Sequence, residues 1–295
     1  KLTGSLFKQA GFRPLCVDIE VAAVCDLACS FCYRQHILTP DKVIHPDLYK
    51  SLIDQCAEMN VPSVKLNWRG EPLLHPNLPE FVDYAKQKGI LEVMINTNAT
   101  TLDADKSRKL IEAGLDQIIY SFDGGTPETY ESMRVGRFKK NHFDTVYNNI
   151  KTFAKVRSDL GSFFPRTKIQ MILTERAFNE QEKFHELFVD CVDDVSVKAY
   201  TERGGNLKDL DHRTLMNIER TVGKDKIENV AYWRDMSGRV FVSKGRLPCE
   251  QPFQRLMVTY DGRVSMCCYD WGSEHPVGYT DQSGYKTHGK DLNAI

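Results

Sequence analysis

Six of the nine cysteines in this 295-residue chain fall into two groups, Cys25, Cys29 and Cys32, and Cys249, Cys267 and Cys268. The first group is the run Cys25-Asp26-Leu27-Ala28-Cys29-Ser30-Phe31-Cys32. Three thiols this close in sequence cannot easily pair with one another. As thiolates they can grip three corners of an iron–sulfur cube and leave its fourth iron open to a cofactor or substrate. Zinc with a fourth ligand from elsewhere is the competing chemistry, but zinc knuckles favour two C-x2-C pairs and no second pair lies nearby. An odd count at irregular spacing does not read as a disulfide framework. Cys16, Cys56 and Cys191 read as small core hydrophobes.

Elements of alternating period must position these groups. Strand-like runs are Val17–Val24, Ser63–Leu66, Leu91–Asn96, Gln117–Ser121, Lys168–Thr174 and Asp194–Ala199. Helical period appears at Leu48–Met59, Leu78–Lys88, Asp103–Ala113, His142–Leu160 and Asn179–Cys191. Six strand–helix alternations predict a parallel sheet with right-handed crossovers. The α/β fold expected is a partial (β/α)6 TIM-like barrel, open on one side, with a doubly wound sheet as the alternative. In either, loops after strands lie on the ligand-binding face. The cysteine run follows the first strand, Trp68-Arg69-Gly70-Glu71-Pro72 the second, Asn96-Thr97-Asn98 ends the third, and Ser121-Phe122-Asp123-Gly124 ends the fourth. From 201 to 245 the rhythm degrades into a linker or peripheral layer. Arg255–Tyr260, Asp261-Gly262 and Arg263–Cys267 then give a β-hairpin signal. The expected division is 1–200 barrel, 201–245 linker and 246–295 a small C-terminal β-hairpin module.

Composition narrows the class. Lys+Arg (39) nearly balances Asp+Glu (40), which removes a default attraction to nucleic acid. No run approaches the roughly 18 apolar residues of a membrane span, and the first residues lack a signal-peptide pattern. A cytoplasmic protein is the resulting expectation.

Cys25-x3-Cys29-x-Phe31-Cys32 resembles the signature of the radical S-adenosylmethionine (SAM) superfamily. Trp68–Pro72 resembles that family's Gly-Gly-Glu-Pro segment, with Arg69 in place of the first glycine. The resemblance spans roughly residues 15–200. It implies a [4Fe–4S] cluster on Cys25, Cys29 and Cys32, and SAM chelating the open iron. It further implies Glu71 at the SAM ammonium, with Gly70 and Pro72 aiming the backbone, and Arg134 and Ser121 at the carboxylate. Asn96 and Asn98 suit the ribose hydroxyls, and Phe31 and the Tyr33 backbone the adenine. Cys249, twelve residues, Gly262, four residues and Cys267 resemble the opening of the SPASM or shorter twitch modules. These imply an auxiliary [4Fe–4S] cluster on Cys249, Cys267 and Cys268. Complete modules supply further cysteines downstream, and none follows Cys268 here.

The reaction so implied is reductive cleavage of SAM and hydrogen abstraction from a small, carbohydrate-like or nucleotide-linked metabolite, giving oxidation or epimerisation. Cys249 and Cys268 are candidate catalytic thiols that return a hydrogen atom. A low-potential electron donor such as flavodoxin or ferredoxin is the expected partner besides the small-molecule substrate. The alternatives are a peptide or protein maturase, against which the short stretch before Cys25 weighs, and a non-enzymatic iron–sulfur electron carrier.

Overall fold

The computed structural model describes residues 13–37, 39–174, 176–199, 232–234, 240–242 and 249–279. Six parallel strands follow one another across the sheet: β1 (Cys16–Ile19), β2 (Ser63–Lys65), β3 (Glu92–Thr97), β4 (Gln117–Ser121), β5 (Arg166–Leu173) and β6 (Asp194–Ala199). Helices α1 (Pro46–Glu58), α2 (Leu78–Gln87), α3 (Ala104–Glu112), α5 (Phe143–Asp159) and α6 (Gln181–Phe188) occupy the crossovers. A short helix, α4 (Pro127–Met133), also lies between β4 and β5, started by Thr126, whose hydroxyl accepts from the Thr129 N–H at 3.3 Å. It lacks the length from which period is read.

The pattern that placed these elements also explains their packing. Val17, Ile19, Val64, Val93, Ile95, Ile118, Ile169 and Met171 face the helices and are buried. On α1, Leu48, Tyr49, Leu52, Ile53 and Cys56 form the matching stripe. Each fully buried Leu or Ile contributes about 1.5–3 kcal/mol. Tyr49 stacks on Phe81 of α2 at 3.9 Å between centroids, and its hydroxyl donates to the Phe81 carbonyl at 2.7 Å. Asp103 caps α3, as its position in the sequence suggests, accepting from the Lys106 N–H at 2.8 Å. The alternate strand positions face the other way and are mostly polar, Asp18, Lys65, Asn96, Ser121, Gln170 and Ser196 among them, with Met94, Ile119 and Ile172 as apolar exceptions. The result is a partial (β/α)6 TIM-like barrel with a mostly polar inner face.

The C-terminal hairpin is joined to the barrel sheet. β9 (Arg255–Val258) pairs parallel with β1, then β10 (Arg263–Ser265) and β11 (Pro276–Tyr279) continue antiparallel, giving nine strands in the order β11-β10-β9-β1-β2-β3-β4-β5-β6. Pairing covers the edge that β1 would otherwise expose. Arg255 on β9 also reaches buried Asp18 on β1, Nη1 to Oδ2 3.3 Å. Gly262 takes φ +85 in the hairpin turn, a conformation that favours glycine. The 201–245 stretch lies outside the described residues except for a two-stranded antiparallel pair, β7 (Tyr232–Arg234) with β8 (Val240–Val242). Among the described residues, no helix is long and apolar enough to cross a membrane.

Candidate functional site

The loop after β1 carries the first three cysteines and is held from two sides. Residues 133–137 run beside it: Ala28 N–H donates to the Val135 carbonyl at 2.7 Å, and Arg137 N–H donates to the Asp26 carbonyl at 2.8 Å. From the end of β3, Asn98 Nδ2 donates to the Asp26 carboxylate at 2.8 Å and lies 3.9 Å from the Cys25 sulfur. Thr100 donates its hydroxyl to the same carboxylate. Cys29 is buried, and burial pushes its thiol up to about 12. Burial raises the Cys25 thiol further. Such thiols ionise only where cationic charge compensates them, which is the condition of metal ligation.

Glu71 lies in the next loop, 3% exposed. Its Oε1 accepts from Thr97 Oγ1 at 2.6 Å and Leu73 N–H at 3.1 Å, and its Oε2 from Asn98 N–H at 2.7 Å. An ionised carboxylate has about four lone-pair sites, so one on Oε2 stays open. Burial outweighs these donors and pushes the carboxyl up to about 7. A carboxyl raised on folding favours the folded state while it is protonated. Its contribution is full below the unfolded value near 4.5 and is lost as pH rises through about 7. Between pH 5 and 8 the SAM-free protein should therefore lose about 3 kcal/mol of stability through this group. Urea unfolding across that range should show a clearly flatter pH slope in Glu71→Gln. An identical slope would count against it.

Gly70 makes the approach of these two loops possible. A Cβ there would lie 2.2 Å from the Ala22 carbonyl oxygen, 2.5 Å from that of Val24 and 2.8 Å from the Ala23 carbonyl carbon, all backbone atoms leading into Cys25. Glu71 N–H then donates to the Val24 carbonyl at 2.9 Å. Pro72 opens a one-turn helix, 72–74, directly after.

The end of α4 brings Arg134 to Asp123, which follows β4. Arg134 Nε and Nη2 donate to buried Asp123 Oδ2 at 2.8 and 2.7 Å, and Asp123 Oδ1 accepts from Ile172 N–H at 2.6 Å. The guanidinium stands 5.8 Å from the Phe31 ring centre, and Nη1 lies outside the Asp123 pair. Asn96 receives a backbone partner, its N–H donating to Asn67 Oδ1 at 2.8 Å, while its own side-chain oxygen is buried with no partner. Asn98, by contrast, is engaged at both polar atoms, since its Oδ1 accepts from Thr100. Ser121 ends β4 and Tyr33 opens the one-turn helix 33–36, both half-buried.

Cys249 is exposed ahead of α7 (Gln251–Gln254), and Cys267 and Cys268 are half-buried beyond β10. In a strand, adjacent side chains point to opposite faces. β10 ends at Ser265 after a register shift against β11, so Cys267 and Cys268 sit in a bend that frees them from that alternation. Among the described residues, no three His, Cys, Asp or Glu side chains converge on one point as a single-ion site would.

The sequence profile of the radical SAM superfamily matches residues 19–173, more than half of the chain. This chain belongs to the radical SAM superfamily. An iron–sulfur cluster-binding domain of the SPASM type matches residues 249–287. This radical SAM chain is 26% identical to a probable GTP 3′,8-cyclase of Methanothermobacter marburgensis over 273 residues, 86% of this chain and 85% of that one. It is 35% identical to Fe-coproporphyrin III synthase of Methanosarcina barkeri over 101 residues, 34% of this chain and 25% of that one. Among solved structures, Streptococcus suis SuiB bound to the precursor peptide SuiA superposes with TM-score 0.66 at 16% identity, over 92% of this chain and 64% of that chain. The protein anSMEcpe with bound AdoMet superposes with TM-score 0.62 at 17% identity, over 90% and 78%. These two show a shared fold. As a radical SAM enzyme with a SPASM domain, the protein works with [4Fe–4S] clusters and SAM. The residues present fit that cofactor set: three buried or half-buried thiols, a glycine cradle against their loop, and an unpartnered amide oxygen near the end of β3.

Asp26, Thr97 and Asp123 hold candidate site residues in place, and motif reading did not single them out. Each acts through a neighbour. Asp26 braces the cysteine loop, Thr97 orients Glu71, and Asp123 orients Arg134.

Proposed function

We propose that Cys25, Cys29 and Cys32 hold the cluster that binds SAM, and that the surrounding strand ends receive SAM's polar groups. The open lone pair of Glu71 takes the ammonium, and the Nη1 edge of Arg134, with the Ser121 hydroxyl, takes the carboxylate. Asn96 takes a ribose hydroxyl on its unpartnered oxygen. Asn98 braces the cysteine loop beside it, and Phe31 with the Tyr33 backbone meets the adenine. When bound, a reduced cluster on Cys25, Cys29 and Cys32 would supply the electron for reductive cleavage of SAM to methionine and a 5′-deoxyadenosyl radical able to abstract a substrate hydrogen. The residues of the chain position these groups, and the buried Glu71–Thr97 and Arg134–Asp123 pairs keep water from the charged contacts. Cys249, Cys267 and Cys268 are proposed to hold the auxiliary cluster, with Cys249 or Cys268 as the alternative hydrogen donor. A flavodoxin- or ferredoxin-like protein is the proposed reductant.

The observation that carries this reading is the convergence of the cysteine loop, Glu71 and Asn98 at the ends of the first three strands. For the substrate we favour a polar, sugar-bearing or nucleotide-linked small molecule. Lys65, Gln170 and Ser196 on the inner face support it, because their polarity suits a hydrophilic guest. The near full-length relative named a probable GTP 3′,8-cyclase supports the nucleotide-linked form. Oxidation or epimerisation of a carbohydrate is the narrower version of the same reading.

The test is deuterium transfer. Reduced protein is incubated anaerobically with SAM and sugar-deuterated nucleotides or sugars, and with deuterated peptides in a parallel arm. Deuterium entering 5′-deoxyadenosine from a nucleotide or sugar is the expected result. Transfer from peptides alone would replace this reading with a peptide maturase, the fold shared with peptide-bound SuiB being that alternative's support.

A further inference from the structure

Arg69 stands where the family segment carries a glycine, and its guanidinium hydrogen-bonds Glu20 and Trp271. Its side chain is buried, 4% exposed, beside a Glu20 that is fully buried. The guanidinium forks both carboxylate oxygens, Nε to Oε1 at 2.6 Å and Nη2 to Oε2 at 2.6 Å. Its third edge, Nη1, donates to the Trp271 carbonyl at 2.6 Å, across a sequence separation of 202 residues. Trp68, the neighbour of Arg69, donates its ring N–H to the Cys268 carbonyl at 3.4 Å, and Arg69 stacks over that ring at 4.7 Å. Glu20 is fixed in turn, its N–H donating to the Val258 carbonyl at 2.8 Å and its Oε2 accepting from Tyr260 N–H at 3.3 Å.

A buried ion pair by itself is weak evidence of stabilisation, since apolar residues of similar volume often serve as well. The geometry here does something an apolar pair could not. A planar fork saturated by one carboxylate holds its remaining donor in a set direction. That direction is the turn containing Cys267 and Cys268. A glycine at position 69 would have no side chain with which to reach it.

We infer that Arg69, oriented by Glu20, is a positioning residue that fixes the turn from Cys267 to Trp271 against the segment carrying Gly70 and Glu71. The second cysteine site is thereby oriented from the loop that meets the cofactor of the first. The inference deepens the proposed auxiliary cluster and rests on it for its meaning, while the contact itself stands independently.

The test uses the double variant Arg69→Met/Glu20→Met in the full chain, which removes both charges together and strands neither. Hydrogen exchange read by mass spectrometry should show protection across 266–273 falling about tenfold or more, with β3 unchanged. In a Cys25/Cys29/Cys32→Ala background, which can load only the second cluster, the same double change should alter that cluster's electron paramagnetic resonance signal. Protection and signal both equal to the parent chain would overturn the inference. Should the double variant lose protection throughout, Arg69→Lys decides, since it keeps the charge and loses the fork. A loss confined to 266–273 supports the inference, and protection equal to wild type overturns it. A triad-free parent that binds no iron would overturn the auxiliary-cluster reading instead, and exchange would still decide for Arg69.

Discussion

Gly70→Ala should be severely damaging although it adds only one methyl group. The new Cβ would meet three backbone atoms of residues 22–24, the nearest at 2.2 Å, and backbone has no rotamer to yield with. Either the Glu71 loop or the lead-in to Cys25 must move. Overpacking of this kind costs about 3 kcal/mol, which for a domain of this size lowers Tm by about 6–12 °C. Function should suffer beyond stability. The Glu71 N–H bond to the Val24 carbonyl holds the Glu71 segment beside the cysteine loop, so its displacement would misplace the proposed ammonium contact. SAM cleavage at a temperature where the variant is folded should drop about a hundredfold, the usual effect of a shift near 1 Å at a reacting centre. A variant with wild-type Tm and turnover would mean that the two loops do not approach as described.

Removing Asp123 should be comparably severe for a different reason. Asp123 is fully buried and accepts from Arg134 twice and from Ile172 N–H once. Asp123→Ala leaves a buried guanidinium and a buried N–H without partners. Breaking one side of such a pair costs about 3–5 kcal/mol. Thermal unfolding should fall by about 6–20 °C. Arg134→Met in the same background should restore part of the loss, because the stranded charge is then gone. No restoration in the double variant would contradict the pairing.

Much of this organisation is legible in the chain itself. β4 and β6 fall where alternation places them, and Asp103 caps α3 where its position suggests. The cysteine run, Gly70, Glu71 and Asn96 come to one side because each follows or ends a parallel strand. What escaped sequence reading is of another kind. Asp26, Thr97 and Asp123 are ordinary loop residues by type, and only the fold shows the side chains they orient. The parallel pairing of β9 with β1 was equally hidden, since a hairpin signal is local and says nothing of which edge the hairpin joins. Asn98 illustrates the limit within a motif: its residue type suits a ribose, and its neighbours engage both of its polar atoms elsewhere.

The central claim is that this chain cleaves SAM at Cys25, Cys29 and Cys32. Anaerobically reconstituted, dithionite-reduced protein incubated with SAM should release 5′-deoxyadenosine, and the Cys29→Ala variant should release none above a protein-free control. Equal release from both, or none from the wild type with its clusters loaded, would contradict it.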